Sequence, residues 1–124
     1  SVELLTALKK KYRMVLVSNF YGNISVVLHE FGFDGMFEKI IESAVVGIRK
    51  PDPRIYMLGV ETLQMKPEEV VVIGDSFKKD IIPAKKIGCS AIWIKGETWT
   101  DENNDESLPD TIITDLKQLI DILI

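Results

Sequence analysis

Residues 70–80, VVVIGDSFKKD, constrain the fold of this chain more than any other segment. The four consecutive branched apolar residues are typical of a strand that is buried on both faces of a parallel sheet. Gly74 allows the backbone to turn tightly where this strand ends, and two aspartates follow, Asp75 and Asp80. Because open α/β sheets bind their ligands outside the carboxyl ends of the strands, the segment predicts a hard-oxygen site for Mg²⁺ at that edge.

Two further segments precede this one along the chain. Residues 15–19, VLVSN, are an apolar run that ends in a polar pair, and residues 49–53, RKPDP, place a lysine before a proline-initiated helix. With GDSFKKD, these segments resemble the second, third and fourth motifs of the haloacid dehalogenase (HAD) superfamily. Most members of that superfamily are Mg²⁺-dependent phosphohydrolases. The resemblance extends over residues 14–94, and it implies a HAD-like Rossmannoid core.

The resemblance implies roles for five residues. Ser18 would hydrogen-bond a phosphate oxygen, helped by backbone N–H groups around Asn19. Lys50 would be a catalytic residue that screens charge near both the nucleophile and the phosphate. Asp75 would be a direct Mg²⁺ ligand, and Asp80 would bind metal-bound water or pair with Lys50, so that both aspartates belong to the catalytic and metal sites. Ser18 and Asp80 also have a structural interpretation, because each can cap the helix that follows it.

The family's first motif supplies the nucleophile, and this chain shows no match to it. That motif is an apolar strand that ends in Asp-x-Asp-x-Thr or Val, whereas residues 1–13, which precede the strand of the second motif, contain no aspartate. Asp34 follows no predicted strand. We therefore interpret residues 1–124 as a partial HAD-like hydrolase core domain, a carboxyl-terminal fragment produced by proteolysis or truncation. Such a fragment should bind Mg²⁺ weakly and be inactive on its own, whereas the intact protein would be a phosphomonoester phosphatase.

Strand and helix patterns alternate along the chain, which predicts an α/β fold with a doubly wound parallel sheet. The predicted strands are residues 14–17, 39–43, 70–73, 91–94 and 111–113. Helices are predicted at residues 1–13 and 23–32, from residue 53 with Asp52 as its cap, at residues 80–88, and from Thr114 as a cap. By resemblance, the nucleophile strand would lie between the first and third of these strands. Without it, both strands expose an edge that can bind the missing amino-terminal segment or a second copy.

Composition narrows the class of partner and the compartment. A net charge of −4 argues against nonspecific nucleic-acid binding, and no apolar run approaches the roughly 20 residues that span a bilayer. The single cysteine, Cys89, excludes an internal disulfide and suits the cytoplasm. The expected partner of the intact protein is a small phosphorylated metabolite.

Three other classes of protein share part of this sequence pattern. A shortened, noncatalytic HAD relative could bind a partner through its unpaired sheet edge. A haloacid dehalogenase attacks carbon and has no need of a Mg²⁺ aspartate such as Asp75, so the fourth motif favours phosphate. A phospho-receiver domain requires an acidic pair after the first strand, and this chain has none there. The interaction module therefore stands as the main alternative.

Overall fold

A computed structural model describes residues 2–18, 30, 35–96 and 104–123, and these residues contain two parallel sheets. The first sheet pairs β1 with β2, and the second has the order β3-β4-β5. The strands are β1 (Val15–Ser18), β2 (Lys39–Glu42), β3 (Val71–Gly74), β4 (Ser90–Ile94) and β5 (Thr111–Ile113). All five predicted strands are therefore confirmed to within one residue at each end, and the predicted α/β class with parallel strands is confirmed.

Five α-helices connect or flank the strands in the described residues. They are α1 (Val2–Lys11), α2 (Ser43–Val46), α3 (Arg54–Leu63), α4 (Ile82–Lys86) and α5 (Leu119–Leu123). A π-helical turn, Phe77–Ile81, leads into α4, and 3₁₀ turns cover Pro67–Glu69 and Leu116–Gln118. The helix predicted at residues 23–32 lies outside the described residues, except for residue 30. None of the described helices has the length and apolar character that a membrane crossing requires.

The predicted cap of the last helix is wrong. The structure begins this segment with a 3₁₀ turn that is capped by Asp115, whose carboxylate accepts from the backbone N–H of Lys117 at 2.9 Å. Gln118 reaches back and accepts from the N–H groups of Thr114 and Asp115 at 2.7 and 2.9 Å. This capping box moves the start of the helix beyond Thr114.

Two apolar clusters cover the two faces of the sheets. On one face, α3 and α4 pack against alternate strand residues that include Ile41, Val72 and Trp93. On the other face, Leu4 and Leu8 of α1 and Leu119 of α5 pack with β4 and β5 residues. Full burial of one such leucine contributes about 1.5–3 kcal/mol relative to its exposure. Helices therefore cover both faces of the β3-β4-β5 sheet, as a doubly wound arrangement requires.

Within the described residues, β1 and β3 each have one edge that carries no ladder. In that part of the chain, β1 pairs only with β2 and β3 pairs only with β4. All four residues of β1 are half-buried, and Val71 at the start of β3 is 42% exposed. Strands inside a parallel sheet are normally buried on both faces, so this part of the molecule exposes apolar strand surface.

Candidate functional site

The turn after β3 fixes the backbone of Asp75 and leaves its side chain exposed. Trp93 on β4 is the register partner of Gly74, and its indole Nε1 donates to the carbonyl oxygen of Asp75 at 3.2 Å. The Trp93 ring also meets Phe77 edge-on, with ring centroids 5.2 Å apart and an interplanar angle of 63°. The neighbouring strand therefore holds the main chain at the point where the Asp75 carboxylate reaches solvent.

Asp80 is a buried carboxylate with three donors. It is 4% exposed, and its Oδ1 accepts from the hydroxyl of Tyr56 and lies 2.9 Å from the Nζ of Lys50. Its Oδ2 accepts from the backbone N–H of Ser76 at 3.2 Å. A buried charge is costly unless it is paired and hydrogen-bonded, and these three contacts satisfy both conditions. The contact with Lys50 joins the segment after β2 to the turn after β3.

Gly74 makes room for this carboxylate. An alanine Cβ built at Gly74 would lie 2.6 Å from the Cγ of Asp80, closer than two carbon atoms can approach. The turn of Phe77–Ile81 returns the chain over the end of β3, which places Asp80 against that glycine. Ser76, not Asp80, caps this turn, because its Oγ accepts from the backbone N–H of Lys79 at 3.2 Å. The interpretation of Asp80 as a helix cap is therefore wrong.

The Tyr56 hydroxyl is held in its protonated form and donates to Asp80. Burial raises the pKa of its hydroxyl far above the ordinary value of 10.0, and the negative charge of Asp80 raises it further. The ring of Tyr56 also lies beneath the ammonium of Lys50, with 5.7 Å between Nζ and the ring centroid. The phenol and the lysine therefore share one carboxylate oxygen and also contact each other.

The structure brings some of the sequence-predicted site residues together. Lys50 and Asp80 form an ion pair, and Asp75 lies at the start of the same turn. Ser18 is the last residue of β1, and Asn19 lies outside the described residues. The described part of the chain gathers no group of three His, Cys, Asp or Glu side chains that could hold a metal ion. The roles assigned to these five residues remain predictions.

Sequence reasoning missed three residues that shape this site. Tyr56 lies on the buried side of α3 beside Ile55, and a buried tyrosine usually has a partner for its hydroxyl. The sequence could therefore have indicated that the Tyr56 hydroxyl has a hydrogen-bond partner, but it could not have identified that partner as Asp80. Ser76 and Trp93 act through contacts with the main chain. Serine is a preferred cap, which was the available signal for Ser76, whereas the contact of Trp93 joins residues that are 18 apart in sequence.

Comparisons with known proteins agree with the α/β fold described above. A family model described as haloacid dehalogenase-like hydrolase matches residues 1–88. The glyceraldehyde 3-phosphate phosphatase of Pyrococcus furiosus is 32% identical over 91 residues, which cover 73% of this chain and 38% of that protein. A crystal structure of a HAD phosphatase from Thermococcus onnurineus superposes with a TM-score of 0.84 at 28% identity, covering 98% of this chain and 55% of the other.

A second solved structure is similar and contains a metal. It is a magnesium-bound HAD-hydrolase from Bacillus subtilis, with a TM-score of 0.81 and 25% identity over 98% of this chain and 52% of that one. The chain thus spans between 38% and 55% of the length of these three proteins. The family model matches more than half of the chain, the similar solved structures agree with its parallel α/β fold, and the chain belongs to the haloacid dehalogenase-like hydrolase family.

Proposed function

We propose that this chain is part of the core domain of a Mg²⁺-dependent phosphatase that hydrolyses a small phosphomonoester. The observation that carries the proposal is the buried Lys50–Asp80 ion pair, which lies in the turn region where Asp75 exposes its carboxylate. A cationic group and an accessible carboxylate at the end of a parallel strand suit a phosphate and a hard cation.

Asp75 fits the role of a metal ligand better than Asp80 does. Its carboxylate is exposed, and carboxylate oxygens are the donors that Mg²⁺ prefers. Asp80 already contacts Tyr56, Lys50 and Ser76 through its carboxylate oxygens. Its proposed role is therefore to position Lys50, with metal-bound water as a further partner. A bound Mg²⁺ would neutralise charge on the phosphoryl group, and Lys50 would stabilise the same charge from a second direction.

The nucleophile would come from outside residues 1–124. We propose that a parallel strand enters between β1 and β3, where the described residues form no ladder, and ends in Asp-x-Asp-x-Thr or Val. Its first aspartate attacks phosphorus, and the ester oxygen leaves as the alcohol after protonation. Water then attacks the aspartyl-phosphate, which releases inorganic phosphate and restores the carboxylate. Ser18 would donate to a phosphate oxygen from the end of β1, with backbone N–H groups near Asn19.

The relatives support the class of substrate and the cofactor. The Pyrococcus furiosus protein is named for a small phosphomonoester, and the structure from Bacillus subtilis was solved with magnesium bound. The single reduced cysteine, Cys89, supports a cytoplasmic location.

The test is Mg²⁺-dependent hydrolysis of p-nitrophenyl phosphate by the chain, with and without an added segment that carries the strand and the Asp-x-Asp-x-Thr motif. We expect turnover only with the segment. Asp75→Asn should then lower the rate by about 10²–10³-fold, the typical cost of a lost electrostatic stabiliser. Asp121→Asn, a matched change at an exposed aspartate on α5, should leave the rate unchanged.

Two results would overturn the proposal. Turnover by the chain alone would mean that residues 1–124 contain a nucleophile. Absence of turnover with a bound segment would favour the alternative, a noncatalytic interaction module that uses the edges of β1 and β3 that form no ladder within the described residues.

A further inference from the structure

Tyr56 contacts both members of the ion pair on which the proposed function rests. Its hydroxyl donates to Oδ1 of Asp80, the same oxygen that lies 2.9 Å from the Nζ of Lys50. We propose that Tyr56 is a positioning residue of this site, and that its hydroxyl and its ring together hold the Lys50 ammonium in one place against Asp80.

The position of the hydroxyl is set by the core. Tyr56 is 6% exposed and belongs to the same apolar cluster as Ile55 and Trp93, so its ring is packed on the inner side of α3. A buried phenol requires a hydrogen-bond partner, and Asp80 provides one. The phenol therefore fixes the direction of Oδ1, the oxygen that Lys50 contacts.

The ring restricts the lysine from a second direction. The Nζ of Lys50 lies 5.7 Å from the centroid of the Tyr56 ring, which is within the range of a cation–π contact. A lysine side chain has four flexible carbons and binds as a point charge, so its ammonium can adopt several positions while it keeps a single ion pair. An ammonium that contacts both a carboxylate and an aromatic face can adopt fewer positions.

A second tyrosine in the chain shows that such a ring contact occurs without this arrangement. The Nζ of Lys11 lies 5.9 Å from the ring centroid of Tyr12, a similar separation. The Tyr12 hydroxyl, however, donates to the backbone carbonyl of Leu123 and not to a carboxylate. Tyr12 is also 40% exposed. It therefore offers a matched control for removal of a tyrosine hydroxyl.

The test measures how well Lys50 is held, by competitive acylation of lysines and mass spectrometry. Tyr56→Phe keeps the ring and removes the hydroxyl. We expect the labelling rate of Lys50 to rise about tenfold, the effect of losing one hydrogen bond to a charged group. Tyr12→Phe should leave that rate unchanged. Lys85 is the internal standard in each variant, because it pairs with Asp110 at the same N···O distance of 2.9 Å.

Two results would overturn the proposal. One is a Lys50 rate in Tyr56→Phe within about twofold of the wild-type rate. The other is an equal rise at Lys50 and Lys85, because Tyr56 would then support only the general stability of the fold. A second measurement needs no variant: NMR of the wild-type chain should show cross-relaxation between the non-exchanging ε-methylene protons of Lys50 and the Tyr56 ring protons, and its absence would also overturn the proposal. Neither readout involves Mg²⁺, phosphate or turnover, so a failed phosphatase assay does not decide this question.

Discussion

Gly74 offers the sharpest test of the site geometry, because alanine at that position would collide with a buried, fully engaged carboxylate. The added Cβ would lie 2.5 Å from Oδ2 and 2.6 Å from Cγ of Asp80. The backbone of Gly74 is not in the left-handed region, which among the described glycines contains Gly35, Gly47 and Gly88. The obstacle to Gly74→Ala is therefore space alone.

The cost of the substitution follows from the two ways in which the clash can be relieved. If the backbone shifts and Asp80 keeps its donors, overpacking costs about 1–3 kcal/mol. If Asp80 moves away, its ion pair with Lys50 is broken, and breaking a buried pair costs about 3–5 kcal/mol. The protein will relieve the clash by whichever route costs less free energy, or by a mixture of the two, and that choice determines the loss of stability. We expect Gly74→Ala to lower the free energy of unfolding by about 2–4 kcal/mol, a large share of the ~5–15 kcal/mol of a typical domain.

The assay is urea denaturation at neutral pH, followed by tryptophan fluorescence and by circular dichroism. Gly59→Ala is the matched control. Its Cβ would lie 3.8 Å from Ile41 and 3.9 Å from Val15 and Val17, an ordinary van der Waals distance. Because Gly59 is inside α3, alanine should raise stability by up to about 1 kcal/mol through helix propensity. Replacement of glycine by alanine should therefore lower the free energy of unfolding at position 74 and raise it at position 59.

The reasoning is refuted if Gly74→Ala unfolds at the wild-type urea midpoint with an unchanged slope. That result would mean that the Asp80 carboxylate does not lie against Gly74. Equal destabilisation by alanine at both glycines would also refute the reasoning, because a clash is expected only at Gly74.

The remaining predictions concern Asp110 and Cys89, both outside the site. Backbone N–H donation from Ala91 and the Lys85 ammonium lower the pKa of Asp110 below its ordinary value of 3.8. The stability that Asp110 contributes is therefore fully present above pH 3.8, and it is lost as the pH falls through the lower pKa of the folded state. In urea denaturation, Asp110→Asn should cost about 0.5–1 kcal/mol at neutral pH and less near pH 2; a cost that is independent of pH would contradict this. Burial raises the pKa of the Cys89 thiol above 9.0, so the folded state retains the proton and loses stability as the pH rises through 9.0. A disulfide reagent should therefore react about 100-fold more slowly with the folded than with the urea-unfolded chain, and equal rates would contradict the burial.

The strands could be predicted because their signal is local. The apolar runs around residues 15–18, 71–74 and 90–94 are short, continuous and bounded by polar residues or glycine, a pattern that indicates buried parallel strands. The start of the last helix was misplaced because two residues, Thr114 and Asp115, both suit a cap. The side chain of Gln118 decides between them by accepting from both N–H groups, and such a choice depends on three-dimensional geometry.

The site was predictable only in part, for a related reason. Lys50, Asp75 and Asp80 belong to motifs with recognisable spacing, so the resemblance could single them out. The contact between Tyr56 and Asp80 joins two elements that are 24 residues apart in sequence. The spacing of apolar residues within either element does not indicate this contact. It depends on how α3 packs against the turn after β3, which is a property of the whole core.

The two aspartates of GDSFKKD have the same side chain, yet their surroundings in the structure give them different energetic roles. Asp80 is buried and holds the charge of Lys50, so its removal leaves a largely buried ammonium without its carboxylate. Asp75 is exposed, and removal of an exposed carboxylate costs little stability. A lost activity in an Asp80 variant therefore mixes damage to the fold with damage to chemistry. A loss in Asp75→Asn reports on chemistry alone, and for that reason Asp75 is the aspartate on which the proposed function should be judged.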